Sequence, residues 1–335
     1  MRSPHLIHSG DLQRIGRDPR ELAARHKSGE LTRVRRGVYI DSGDWAGLSP
    51  RARYGFNAMA FQQMAGSRPV FCHATAALLW GLWIVGTPRK LHVVTESTAG
   101  GRSRNGIVRH IGSLRNGVVH CGPFALTDKL TTTVQLINAL AFPYAVAVCD
   151  SSLRMPRTGC AANPFSAWDA GGDFQKTPVW DTDVPQGNPL KIADLLEATQ
   201  NLPSRAARDR ALAVINFSSE LSGSAGESLS RAGMHILGFP APTLQRRFIL
   251  RDGSDAFVDF WFERAKVAGE FDGYGKYLRQ DWAGGKSIQE RVIAEKRRED
   301  QIRAQGVGFV RWVWDEMMDL EQFQRLLREA GLPQR

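Results

Sequence analysis

The stretch DAFVDFWFERAKVAGEFD, from Asp255 to Asp272, decides the fold of the last third of this chain. Its first half alternates as a strand does, with Val258, Phe260 and Phe262 pointing one way and Phe257, Asp259 and Trp261 the other. One acid thus interrupts a largely apolar strand. A second strand, Lys266 to Asp272, puts Ala268, Glu270 and Asp272 on a common face by the same period of two. A hairpin turning between Arg264 and Ala265 sets Asp259 opposite Glu270, with Cβ atoms roughly 4.5 to 5.5 Å apart. Two carboxylates so placed repel unless a cation or a proton intervenes. The expectation is a divalent ion, Mg²⁺ or Mn²⁺, held by Asp259, Glu270 and Asp272. An oxygen-ligated ion of that class supplies hydroxide near neutral pH and offsets charge growing on a phosphate, which is what phosphodiester hydrolysis needs.

Working outward, Glu227 opens a helix in GSAGESLSRAGMHILGFP that ends near Gly238, and Leu244 to Leu250 forms a strand before the turn RDGSD. Glu227 has two readings, as a metal ligand or water-orienting group and as a helix N-terminal charge favoured by the dipole. Beyond the hairpin, Lys276 is placed to stabilise transition-state charge or position the nucleophile. A basic amphipathic helix, Lys286 to Arg303, and a strand, Gly308 to Trp314, complete an α-β-β-β-α-β order. Arg298 and Arg311 are expected to meet DNA phosphate. Trp261 and Phe271 read as core.

The runs GESLSR, VDFWF, GEFDGYGK, EKRRED and GVGFVRWVW together resemble the Vsr-like endonucleases of the restriction-endonuclease superfamily. That resemblance implies a mixed sheet flanked by helices, with catalytic acids in the pattern D…(D/E)-x-K. Asp259 matches the first acid and Glu270 the second. Asp272 stands where the wider pattern has Lys, and Lys276 where much of the Vsr-like branch has His, so the general base is left open.

The chain of 335 residues carries a formal charge of +10, a surplus that favours polyanionic partners, DNA first among them. Met1 to Ile40 holds nine Lys/Arg against four Asp/Glu. There Ser9 to Ile15 and Pro19 to Lys27 each allow a short helix, capped by Ser9 and Asp18, with Gly16 between them. LTRVRRGVYI, Leu31 to Ile40, reads as a two-stranded wing bent at Gly37. Helix, turn, helix and basic wing describe a winged helix-turn-helix in which Arg33, Arg35 and Arg36 contact DNA.

GELTRVRRGVYI, at Gly29 to Ile40, resembles the N-terminal DNA-binding module of AbiEi-type antitoxins. The likeness extends weakly through Trp45, the helical run near Arg51 to Gly66, FCHATAALLWGLW and KLHVV. It implies an α/β middle module and raises a toxin as partner. Arg102, Arg104 and Arg109 read as a solvated hairpin tip, and His73 and His92 as isolated capping or core histidines. Cys72, Cys121, Cys149 and Cys160 lack the paired short spacing of a zinc site and read as reduced core or loop thiols. MRSPHLIHSG has no apolar core after its early Arg, and no later stretch approaches a membrane span, so a soluble cytoplasmic protein without membrane contact is expected.

AVAVCDSSL, Ala145 to Leu153, reads as a strand leading into a helix, and Leu190 to Ile215 as helices divided at Pro203. Between them Met155 to Pro189 is dense in Gly, Pro, Asp and Thr without a period. The expected multi-domain α/β order is therefore a winged helix-turn-helix at 1–42, a middle α/β domain at 43–154, a linker or insertion at 155–189, connecting helices at 190–216 and a nuclease domain at 217–332. Two functions follow. One is a Mg²⁺- or Mn²⁺-dependent DNA endonuclease in a defence or toxin-antitoxin setting. The other is an antitoxin-like transcriptional regulator with an inert nuclease fold.

Overall fold

The computed structural model describes residues 4–16, 18–97, 103–114, 117–121, 124–154, 185, 187–273 and 288–334. The chain is mixed α/β and divides into two compact units, one of residues 1–139 and 154–211, the other of 140–153 and 212–335. No helix among the described residues is long and apolar enough to cross a membrane.

The first unit opens with β1 (Ile7–His8), α1 (Ser9–Arg14), α2 (Arg20–Lys27), β2 (Leu31–Arg35) and β3 (Val38–Asp41). The strands form an antiparallel sheet in the order β1-β3-β2, turned at Gly37, whose φ of +75° lies where glycine is favoured. Leu12, Leu22, Leu31 and Tyr39 make its core. The caps differ from expectation: His8, not Ser9, occupies the cap position of α1, while Asp18 accepts the Arg20 N–H at 2.8 Å from one residue before the Pro19 cap position of α2.

Then come α3 (Ser42–Gly47), α4 (Pro50–Met64), β4 (Val70–Phe71), α5 (His73–Leu79), β5 (Leu91–Thr95), β6 (Ile107–Ile111), β7 (Val118–Cys121), β8 (Phe124–Thr127) and α6 (Lys129–Ala139). Ser49 caps α4 through the Ala52 N–H, with Pro50 in the first turn, where its missing donor costs nothing. The five strands form one mixed sheet, β6-β5-β4-β8-β7. Arg109 lies inside β6, aligned with Val93, rather than at a hairpin tip, and Arg102 lies outside the described residues.

The expected strand at Ala145 is instead part of α7 (Phe142–Leu153), which belongs to the second unit. Every residue from Ala145 to Leu153 is buried. A helix enclosed on all sides has no polar stripe, so its sequence carries no 3.6-residue period to separate it from a buried strand. The segment 155–189 lies outside the described residues except at 185 and 187–189. Past it run α8 (Ile192–Thr199), in the first unit, and α9 (Arg205–Phe217), divided between the two, with the expected break at Pro203.

The second unit continues with α10 (Ala225–Ile236), β9 (Thr243–Ile249), β10 (Asp255–Phe262), β11 (Val267–Phe271), α11 (Ile288–Arg303), β12 (Gly308–Trp312), α12 (Trp314–Met318) and α13 (Leu320–Glu329). From α10 to β12 this is the expected α-β-β-β-α-β order. The sheet runs β12-β11-β10-β9, with β12 parallel to β11 and the rest antiparallel. One face packs Phe260 on Trp312 at 5.4 Å and Trp312 on Phe323 at 5.3 Å. The other gathers Ala256, Val258, Trp261 and Ala268 with Ile302 and Val307. Beneath α10, the buried Asp150 of α7 takes both Nη2 contacts of Arg231, at 2.7 and 3.0 Å, and accepts from Ser219 N–H, Ser222 Oγ and Ser228 Oγ.

Candidate active site

Ser224 caps α10, accepting the Glu227 N–H at 3.2 Å and donating its hydroxyl to Glu227 Oε1 at 3.0 Å; Glu227 Oε2 takes the Gly223 N–H at 2.6 Å. The helix-end reading of Glu227 is thereby observed. The same carboxylate is buried and has a second neighbour, since the Gln245 amide donates to Glu227 Oε2 at 3.3 Å and to Asp259 Oδ1 at 3.4 Å. One side chain on β9 therefore joins the acid of α10 to the acid of β10. Gln245 has φ +51°, uncommon for a residue with a Cβ and frequent where a site imposes its own geometry.

The β10–β11 ladder keeps the register expected from the turn, Phe260 with Gly269 and Phe262 with Val267. It ends at Phe260, one pair short of Asp259 and Glu270. There Asp259 Oδ2 accepts the Phe271 N–H at 3.0 Å. The simple alternation also changes phase at Asp259. Phe248 and Val258 share a core with Trp261, whereas Phe260, expected on the Val258 face, stacks on Trp312. Gln245, at the same level of β9, carries the matching distortion.

Glu270 is buried on β11 and paired on both oxygens: Arg298 Nη2 lies 2.5 Å from Oε1 and Arg311 Nη2 3.0 Å from Oε2. Burial pushes its pKa up to about 7, against the pull of the two guanidiniums and with added repulsion from Asp259. Arg298 also donates to Glu295 and to the Phe257 carbonyl, and Arg311 contacts Glu295, Glu299 and Asp272. Burial resists ionisation of Glu295, but Arg298 and Arg311 outweigh it and bring that carboxyl down to about 2.

This changes several expectations. The conflict between Asp259 and Glu270 is relieved within the chain, by an amide and a backbone N–H on one acid and two guanidiniums on the other. Arg298 and Arg311, expected on DNA phosphate, face carboxylates, because α11 and β12 bring them against Glu270. Asp272 is turned to Arg311 at 3.3 Å. Asp259, Glu270 and Asp272 do not converge; among the described residues, the one set of three metal-ligating groups within 4.8 Å of each other is Cys72, His73 and His110. Lys276 and Lys286 lie outside the described residues.

No protein-family model and no curated protein matches this chain. The site therefore rests on its own geometry.

In the first unit, Arg33 and Arg36 are exposed on the β2–β3 hairpin, whereas Arg35 is half-buried. Its Nε donates to the Asn57 carbonyl at 3.2 Å and its guanidinium lies 5.1 Å from the centre of the Phe61 ring. Burial lowers its pKa. An arginine so engaged packs β2 on α4.

Sequence reasoning missed Gln245 and Glu295, whose surroundings signal nothing locally, and it took His73 and His92 as isolated. His73 instead stacks on His110 at 3.6 Å between ring centres, and His92 Nδ1 lies 2.8 Å from His110 Nε2. A run of three histidines on neighbouring elements was the available signal.

Proposed function

We propose that the second unit is a DNA phosphodiesterase of restriction-endonuclease-like fold, dependent on Mg²⁺ or Mn²⁺, and that the first unit contributes DNA affinity through a winged helix-turn-helix. One observation carries the reading: Gln245 joins Glu227 to Asp259 where β10 and β11 part, with Glu270 on the adjoining strand. Glu227, Asp259 and Glu270 are hard oxygen donors of the kind such ions take. Asp272, like Glu270, is paired with Arg311. When bound, the ion supplies an activated water and offsets phosphate charge.

The residues themselves do the rest. Gln245 keeps two acids close without protonating either. Burial raises the Glu270 pKa to about 7, so a cation held there would compete with a proton. Arg298 and Arg311 hold the Glu270 carboxylate in place and can take up charge when it is otherwise engaged.

The test is incubation of the purified chain with plasmid and Mn²⁺, beside Asp259→Ala and Glu270→Ala. Nicking by the unaltered chain and its loss in both variants is expected; equal nicking by all three, or none by any, sinks the proposal.

A second reading draws on the ion pairs of Glu270. A carboxylate already neutralised by two arginines suits a catalytically inert fold in an antitoxin-like DNA-binding regulator. It requires metal-independent retardation of a promoter fragment near the coding region with no nicking under Mn²⁺.

A further inference from the structure

We propose that Cys72, His73 and His110 form a binding site for a transition metal of the zinc class, separate from the carboxylates of the second unit. All three lie in the first unit. Cys72 follows β4 and precedes α5, His73 is the first residue of α5, and His110 lies on β6. Their donor atoms fall within 4.8 Å of one another, and His73 Nδ1 is 3.3 Å from Cys72 Sγ.

The register explains the convergence. β5 lies between β4 and β6, with Phe71 aligned to Val93 and Val93 to Arg109, so the end of β4 comes level with the residue next to His110 on β6. The Cys72 N–H bonds to the His92 carbonyl at 3.0 Å and the His73 N–H to Gln135 Oε1 at 3.0 Å, which fixes the backbone on both sides of the thiol. His73 has φ +49°, an uncommon backbone state for a histidine, and it is what stacks its ring on His110.

The donor set selects the ion. One thiolate with imidazoles suits zinc and its neighbours and is a poor match for Mg²⁺ or Ca²⁺. Cys72 is fully buried as a thiol, and binding transfers its proton to solvent as the sulfur–metal bond forms. His92 contacts the His110 ring through a nitrogen and orients it, the arrangement in which an outer residue tunes a ligand. An ion here ties the end of β4 and the start of α5 directly to β6, across the one strand, β5, that lies between β4 and β6.

The experiment is titration of the full, chelator-treated chain with Co²⁺, followed by absorption, then competition with Zn²⁺ and with Mg²⁺. Expected are thiolate-to-cobalt charge-transfer and d–d bands that saturate at one ion per chain, are erased by Zn²⁺ and ignore Mg²⁺. Cys72→Ser removes the charge-transfer band, and His92→Gln, through its effect on His110, weakens binding about tenfold. Cys149→Ser and His120→Gln leave the bands unchanged. Absence of the bands in the unaltered chain overturns the proposal, and so does their persistence in Cys72→Ser. Because the first arm uses the unaltered chain, a variant that fails to fold does not shield the proposal.

Discussion

Glu270 and Arg298 form a 2.5 Å ion pair between the middle of a sheet and the helix that crosses it. The pair joins β11 to α11 and leaves the glutamate buried, so its protonation is linked to folding. Its pKa is about 7 in the folded chain against an ordinary value of 4.5. Between those values the folded state binds more protons than the unfolded one. The contribution to stability is thus fully present below 4.5 and is lost as pH rises through about 7. Glu295 runs the other way: its contribution is present above 4.5 and lost as pH falls through about 2. Melting temperatures measured from about pH 4 to about pH 8 should show the unaltered chain losing stability relative to Glu270→Gln across the upper window. Parallel curves would refute the shift.

Asp150→Ala leaves Arg231 buried beside Phe217 without its carboxylate. Removing one member of a buried pair costs on the order of 3–5 kcal/mol. Urea denaturation should show a loss of that size, with most of it recovered in Asp150→Ala/Arg231→Met. A loss under ~1 kcal/mol would mean that the network is replaced by water.

Gly226 stands under the Phe271 ring, and a Cβ there would lie 1.9 Å from a ring carbon. Alanine normally gains about 1 kcal/mol over glycine inside a helix. Here overpacking costs about 1–3 kcal/mol and reverses the sign. Thermal unfolding should place Gly226→Ala below the unaltered chain, with partial recovery on adding Phe271→Leu. A Gly226→Ala chain that melts higher counts against the close approach of α10 to β11.

The three arginines of the β2–β3 hairpin should separate by assay. Arg33→Ala and Arg36→Ala, both exposed, should weaken DNA binding and each reduce the salt slope by about 0.9. Arg35→Ala should instead lower the melting temperature, since it loses the Asn57 bond and the Phe61 contact. Equal effects of all three on the salt slope would count against a packing role for Arg35.

The hairpin is legible in the amino-acid order alone. Period-two apolar residues from Asp255 to Phe262, a four-residue turn and a second apolar strand are local signals, and strand register follows from turn position. The helix-strand order from α10 to β12, and the burial of Trp261 and Phe271, are readable for the same reason. α7 is not, because complete burial erases its period, and its place in the second unit depends on Asp150 meeting Arg231 from 81 residues away.

By itself the amino-acid order determined which segments alternate, where they turn and which acids interrupt them, since these depend on neighbours a few positions apart. Only the tertiary structure decided what those acids touch. Asp259 leaves the alternation because Gln245 distorts the facing strand, Glu270 meets arginines from a helix and another strand, and Cys72, His73 and His110 meet through a sheet register. Electrostatics and burial act through space over a few ångströms, and the residues that set them are tens of positions apart along the chain.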